Sequence, residues 1–186
     1  GPYSGQYAWI MGPITLSHMD GSISADHTKD WELNVERYAR SHSYQFSTRD
    51  EDLTYNPDNE VVGTSILQRV FDVKNKSTDM QAVVEAIKSI KETLVKMDAD
   101  IARRVYRNQF RSADRKDISL VYPFDSWTRF ENSNGLPPNF ADSYDKINGK
   151  GSWQKNVMNV LDNHTCLLYT SPSPRDQRGS RRAGCW

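Results

Sequence analysis

The sequence has little cysteine and no long hydrophobic run. Its 186 residues include two cysteines, Cys166 and Cys185, which both lie near the end of the chain. Residues 1–165 therefore hold no disulfide framework, no zinc–cysteine site and no thiol nucleophile. No stretch reaches the ~18 apolar residues of a membrane span, and the apolar triplet 9–11 is too short for a signal-peptide core. We expect a soluble protein without a membrane partner, of unknown location.

An excess of charge of either sign is also lacking. The chain carries 24 Lys and Arg against 24 Asp and Glu, so its formal net charge is zero and exerts no global pull on nucleic acid. The sequence contains no phosphate-binding loop G-x-x-x-x-G-K-[ST], no dinucleotide fingerprint G-x-G-x-x-G and no nucleophile elbow G-x-S-x-G. These absences favour a protein that is not an enzyme, and they indicate no cofactor.

The end of the chain resembles a translated sequencing adapter. Residues 166–176 (CLLYTSPSPRD) can be back-translated into the transposase adapter of sequencing libraries, and the resemblance continues to about Arg181. The alternative is a genuine Pro/Ser/Arg-rich tail, and either origin predicts disorder over 166–186. This tail carries four arginines and one aspartate, so the remaining 20 basic and 23 acidic residues give a net charge near −3.

The first residues are equally unusual for the start of a protein. The chain begins Gly1-Pro2 without methionine. We expect a fragment of a longer reading frame, of the kind that metagenomic sequencing yields, and a protease scar is the rival explanation.

The residues that are present suffice for a folded core, since the chain has five Trp, nine Tyr and six Phe. Turn signals and short alternating segments predict a β-rich, loop-heavy region over 1–76. Within it we predict a short helix over 30–40, a strand over 43–47 and one or two buried strands over 61–73, with a helix that starts after Thr64 as the alternative for the last segment. A long helix is predicted within 77–117. Residues 118–165 read as an irregular region with a strand over 118–124 and a short helix over 153–161, so the predicted fold class is α+β.

The strongest pattern is a heptad repeat. Thr78 and Gln81 have the form of a capping box, and neither Gly nor Pro interrupts residues 78–111. Apolar residues then alternate at spacings of three and four, as the a and d positions of a coiled coil do. These positions are Met80, Val83, Ile87, Ile90, Leu94, Met97 and Ile101.

This helix leads to the first functional hypothesis. At ~1.5 Å per residue it would be roughly 50 Å long, more than the diameter of about 40 Å expected for the whole body. We therefore expect the seven apolar residues to form a homo-oligomer interface, and β-branched Val83 and Ile90 at d favour a trimer. Alternatively, the sheet of the same subunit or a helix from a missing part of the chain covers them. The hypothesis is a non-enzymatic structural or assembly protein, and a phage virion component (tail, neck or fibre) is its expected setting by analogy.

A basic segment gives the second hypothesis, a protein that binds nucleic acid or phosphate. Its cations are interleaved with the aromatic residues Tyr106 and Phe110, which could stack on bases. The alternative is that cations at a helix C-terminus oppose the helix dipole. The cations are Arg103, Arg104, Arg107, Arg111, Arg115 and Lys116.

A cluster of histidine and aspartate gives the third hypothesis, a metal-dependent hydrolase. Its members are His18, Asp20, Asp26, His27 and Asp30. Their spacing matches no dedicated metal motif such as H-E-x-x-H, so we assign no metal ligand. The alternative is that they form turns and are solvated.

Overall fold

The computed structural model describes residues 14–15, 17, 20–21, 24–38, 45–58, 65–110, 117–124, 128 and 135–171. The chain divides into two compact units, residues 1–44 and residues 45–186. Among the described residues, no helix has both the length and the apolar character needed to cross a bilayer.

The first unit contains helix α1, Ala25–Asn34, and a 3-10 turn, Glu36–Tyr38. The hydroxyl of Ser24 caps the helix by accepting a hydrogen bond from the His27 N–H at 3.2 Å. No residue of α1 is buried. The helix predicted over 30–40 overlaps α1 only at residues 30–34, because the Ser24 cap starts the helix earlier, and residues 39–40 lie outside the described residues.

The second unit is built on an antiparallel sheet. Its described strands are β1 Ser47–Arg49, β2 Ser65–Val73, β3 Arg104–Asn108, β4 Ile118–Phe124 and β5 Thr165–Ser171, in the order β1-β3-β4-β2-β5. Its described helices are α2 Met80–Lys96, α3 Phe140–Asn148 and α4 Asn159–His164, and a π-helical turn, Gln154–Met158, leads into α4. The predicted α+β class is confirmed.

The order of these elements has a simple plan. Strand β4 lies between β2 and β3 and is antiparallel to both, and β5 pairs with the other side of β2. The sequence β2-α2-β3-β4-α3/α4-β5 is therefore a split β-α-β arrangement, to which β1 is added beyond β3. This plan makes β1 and β5 the two margins of the sheet.

The core lies between α2 and one face of the sheet. Val83 and Ile87 of α2 belong to a buried cluster with residues of β2, β3 and β4, such as Val105 and Leu120. Nearer its end, α2 contributes Leu94 to a second cluster, which it shares with α3 and the π-helical turn. The apolar stripe of α2 therefore packs against both clusters.

The predicted long helix is wrong beyond Lys96. Asp98 adopts a left-handed conformation with φ 48°, its N–H donates to the Val95 carbonyl, and the Ala99 N–H donates to the Leu94 carbonyl. This is a Schellman motif, which ends a helix and is usually built on glycine. Residues 104–108 then pair with β4 as a strand, so the helical pattern beyond residue 98 is overridden by the sheet.

The helix start also differs from the predicted capping box. Asp79, not Thr78, occupies the cap position of α2, and it makes no side-chain cap bond to the helix. The Thr78 hydroxyl donates instead to the Asp79 carboxylate at 2.9 Å.

The predicted oligomer interface is wrong for the heptad stripe, because the chain covers it itself. The α2 residues Val83, Ile87, Ile90 and Leu94 are between 0% and 3% exposed. The remaining three heptad residues are partly buried and pack against the same two clusters; they are Met80, Met97 and Ile101. At ~1.5 Å per residue the 17 residues of α2 span roughly 25 Å and need no second copy for cover. The coiled coil and the trimer therefore lose their basis.

The predicted disorder of the tail is wrong for residues 166–171, which belong to β5 and pair with β2. Residues 172–186 lie outside the described portion of the chain. The segment 165–171 (TCLLYTS) is uncharged and contains no proline, so it suits a strand. Ladder hydrogen bonds use main-chain groups that every such segment has, so this pairing is compatible with an adapter origin.

The predicted division of the chain needs a similar revision. The β-rich region over 1–76 contains β1 and β2 but also α1, and the strand predicted over 43–47 lies at Ser47–Arg49. The strand predicted over 118–124 is confirmed as β4, and the prediction over 61–73 is confirmed as β2 for residues 65–73, while residues 61–64 lie outside the described residues. The irregular region over 118–165 holds α3 and α4, and the short helix predicted over 153–161 falls on the π-helical turn and α4.

The side chain of Asp145 organises the loop that follows α3. Its Oδ1 accepts hydrogen bonds from the Trp153 N–H at 2.7 Å and the Ser152 hydroxyl at 3.3 Å, and its Oδ2 accepts from the Gly151 N–H at 2.8 Å. Gly151 has φ 78°, a conformation that glycine adopts without strain. These bonds, above all the one from Trp153, lower the pKa of Asp145.

We expect Asp145→Asn to lower Tm at pH 7 by several degrees, because an amide replaces the charged acceptor of two backbone N–H groups. The folded pKa of Asp145 lies below its ordinary value of 3.8, so the carboxylate stabilises the fold above that pH. This contribution is lost as the pH falls through the folded pKa, and the Tm difference from the parent should then vanish. Thermal unfolding followed by circular dichroism measures both effects.

Asp142→Asn is the matched control for this prediction, since Asp142 lies on the same helix with an exposed side chain. A Tm difference for Asp145→Asn that persists at the lowest pH would show that the loop does not depend on the charge.

Candidate functional site

Strand β1 forms one margin of the sheet, and within the described residues β3 is its only strand partner. The Asp50 N–H donates to β3 at 2.8 Å, and the Phe46 carbonyl accepts from the residue that follows β3 at 2.9 Å. Alternate residues of an antiparallel strand direct both backbone groups to the same side. The backbone groups of Ser47 and Arg49 therefore face away from β3, where a further strand could bind them.

Two aromatic rings lie beside this margin. Phe46 and Phe110 contact each other edge to face, with ring centroids 5.8 Å apart and ring planes at 85°. Phe46 is 39% exposed and Phe110 is 62% exposed. Both rings are far more exposed than the buried aromatic residues of the two core clusters, and aromatic residues are enriched at protein interfaces.

A polar groove runs along the same margin, lined by residues 48–52 and 107–109. Arg49 pairs with Glu51 at 2.6 Å, and Arg107 pairs with Asp50 at 3.2 Å. With Asp52 the groove carries three carboxylates and two guanidinium groups. Its surface is therefore of mixed sign rather than basic.

We call this surface the β1 edge: the outward backbone of β1, the Phe46–Phe110 pair and the groove. Its residues come from two stretches of the chain, since residues 45–52 precede β2, whereas residues 107–110 comprise the end of β3 and the two residues after it. Pairing of β1 with β3 brings them together.

Two cationic side chains, those of Lys91 and Arg103, donate hydrogen bonds to the main chain that follows β1. The Lys91 ammonium group on α2 donates to the carbonyls of Glu51 and Asp52, both at 2.9 Å. The next carbonyl, that of Leu53, accepts from Nη2 of Arg103 at 2.9 Å. Three successive carbonyls of this loop therefore face positive charge.

Arg103, which the sequence placed in a phosphate-binding segment, lies in the core. Its side chain is 0% exposed, and its Nη2 also donates to the Ile87 carbonyl at 2.9 Å. Burial lowers the pKa of Arg103, and the nearby phenol of Tyr122 opposes this effect. An enclosed guanidinium cannot contact phosphate, so the prediction is wrong for Arg103.

The other described arginines of that segment are engaged within the chain. Arg104 donates to the Pro57 carbonyl at 3.0 Å, and Arg107 forms its ion pair with Asp50. The structure therefore does not gather them into a basic surface, because β3 directs alternate side chains to opposite faces. The remaining predicted residues, Arg111, Arg115 and Lys116, lie outside the described residues.

The histidine and aspartate cluster is not assembled into a site by the described residues. Asp26, His27 and Asp30 are exposed on α1, Asp20 is exposed before it, and His18 lies outside the described residues. The portion of the chain that the structure describes holds no group of three or more His, Cys, Asp or Glu placed to bind a metal ion.

No protein-family model, curated protein or solved structure matches this chain. The split β-α-β plan carries many unrelated functions, so it cannot supply one here. The β1 edge must be interpreted from its own chemistry.

Sequence reasoning missed the β1 edge because its components meet only through strand pairing. Phe46 and Phe110 are 64 positions apart. The alternation over residues 43–47 predicts a strand around Phe46, but no sequence pattern links this strand to Phe110. The one available signal is Phe110, an aromatic residue within a polar, basic stretch, and its basic neighbours favour base stacking instead.

Proposed function

We propose that the protein is a non-enzymatic, homo-oligomeric structural or assembly protein, whose copies associate through the β1 edge. The exposed Phe46–Phe110 pair, beside a strand whose outer side has no strand partner among the described residues, is the observation that carries this proposal. An open strand edge presents N–H and C=O groups that pair readily with another strand, and natural proteins often use such edges for binding. The virion setting expected from the sequence stays a prediction.

The charges of the groove favour a second copy of the same chain as the occupant. In a twofold contact the same patch lies on both subunits, so the arginines of one groove can face the carboxylates of the other. A phosphate backbone would instead meet three carboxylates against two arginines that are already paired. Self-association therefore suits this surface better than nucleic acid does.

Backbone direction gives the register of such a contact. Ser47 and Arg49 face outward, and in an antiparallel ladder the outward residues of two strands form hydrogen-bonded pairs. Ser47 of each copy would then pair with Arg49 of the other, and Thr48 would lie on the twofold axis. Four backbone hydrogen bonds would join the two sheets, and the aromatic pairs would close the ends of the contact.

Ser47→Pro tests this register on the full chain. Proline removes an outward N–H and adds a ring at the contact, but it leaves the bonds from β1 to β3 intact. We expect its dissociation constant to rise by about tenfold or more, while the free energy of unfolding per subunit stays nearly constant. Light scattering and sedimentation over a concentration series measure the dissociation constant.

Thr48→Pro is the matched control, because the Thr48 N–H faces β3 and its loss should loosen β1 itself. Phe110→Ser should weaken association without a change in the ladder. A wild-type protein that is monomeric at the highest accessible concentration overturns the proposal. Salt-dependent binding of single-stranded DNA that is lost in Phe110→Ser would also overturn it, in favour of base stacking.

A further inference from the structure

The loop behind β1 has an unusual set of partners. Its three successive carbonyls, at residues 51, 52 and 53, accept hydrogen bonds from Lys91 and Arg103 at 2.9 Å each. Lys91 lies on α2, and Arg103 also bonds to the carbonyl of Ile87 on the same helix. The two cations therefore fasten the loop to α2.

This fastening acts on the β1 edge because the loop continues directly from β1. Asp50, the first loop residue, donates to Val105 of β3, and the N–H of Val105 donates to the Thr54 hydroxyl at 3.1 Å. Residues 50–52 line the groove on this side. Lys91 thus binds the main chain of Glu51 and Asp52, two of the residues that line the groove.

A strand of three residues gains little stability from its own ladder, so its position depends on what holds its ends. We infer that Lys91 is a positioning residue, which holds β1 and the adjoining groove residues in the geometry that a second copy requires. This inference rests on the proposed function, because the positioning matters only if a second copy binds the β1 edge. The anchoring of β1 by Lys91 can be measured in a single subunit. An edge that is already ordered loses less conformational entropy when it binds.

Lys91→Met provides the test, since methionine keeps most of the aliphatic stem and removes all three N–H donors. We expect hydrogen exchange at the Asp50 N–H to become about tenfold faster or more, because this amide reports the opening of β1 from β3. The dissociation constant of the oligomer should rise by a similar factor. Exchange in the middle of β4 should stay at the wild-type rate.

Lys88→Met is the matched control, since Lys88 lies on the same helix with an exposed side chain. It should change neither exchange at Asp50 nor association. Lys91→Arg should restore both, because a guanidinium can also donate to the two carbonyls. Rescue of this kind separates positioning from a general loss of charge on α2.

The two proposals fail in different ways. If the wild-type chain does not self-associate, the proposed function is overturned, and exchange at Asp50 still decides whether Lys91 anchors β1. If Ser47→Pro weakens association but Lys91→Met leaves the exchange rate or the dissociation constant at its wild-type value, the positioning role is overturned alone.

Discussion

Replacement of Leu94 by alanine is expected to lower the free energy of unfolding by about 2–5 kcal/mol. Leu94 has no solvent exposure and packs in the second cluster with Ile90, Phe140 and Tyr144. Loss of its side chain removes apolar burial and leaves a cavity, because α3 and the π-helical turn close this cluster from the other side. Chemical denaturation of the variant and the parent measures the difference.

Val95→Ala is the matched control, since the neighbouring Val95 is 57% exposed and its truncation should cost less than about 0.5 kcal/mol. The oligomer dissociation constant of Leu94→Ala should equal that of the parent, because the stripe is covered within one subunit. If Leu94→Ala weakened association and spared subunit stability, the stripe would be an interface after all.

Arg103→Ala is expected to cost on the order of 3 kcal/mol of unfolding free energy. The substitution deprives the Leu53 carbonyl of its guanidinium donor and empties the volume of a fully buried side chain. Equilibrium unfolding in urea gives this value.

Arg103→Met separates the two contributions. Methionine fills most of the volume and removes the cost of burying a charge, so its loss of stability should be less than half of that for alanine. Equal losses for both variants would show that the hydrogen bonds, rather than the packed volume, determine the stability at this position.

The elements of the fold that the sequence predicts well are those set by local apolar pattern. Residues 118–124 form a nearly continuous apolar run, and the structure buries β4 between two other strands, where such runs belong. The stripe from Val83 to Leu94 likewise matches the buried face of α2. In both cases the pattern reflects burial within the same chain.

The predicted length of the helix failed at one backbone turn, at Asp98, which ends α2 although the apolar spacing continues. The spacing of three and four continues through Met97 and Ile101, although α2 ends at Lys96, because these two side chains also pack on the second cluster from outside the helix. The helix ends at Asp98, which adopts a left-handed conformation. An aspartate in a segment without glycine or proline gives no sequence signal that a helix ends there. The pattern overestimates the helix length for this reason, and it predicts an oligomer interface that the shorter helix does not need.

The candidate site was beyond prediction for a different reason. Its charged and aromatic residues form no recognisable pattern along the sequence. Pairing of β1 with β3 brings Arg107 to Asp50, where they form an ion pair, and brings the two phenylalanines into contact. Contacts across such distances in the chain leave no trace in local composition. Arg103 shows the same limit of prediction, because an arginine that is followed by Arg104 in a basic segment gives no sequence signal that its side chain is buried.

The left-handed turn at Asp98 limits how the sequence can diverge at this position. That conformation costs most side chains roughly 1–2 kcal/mol, whereas it costs glycine nothing, and it costs asparagine and aspartate less because their short polar groups can hydrogen-bond locally. Alanine, an otherwise neutral exchange on an exposed site, would favour continuation of α2 into residues that belong to β3. Tolerance of mutation here is set by a dihedral angle, so this position is constrained although its side chain is exposed.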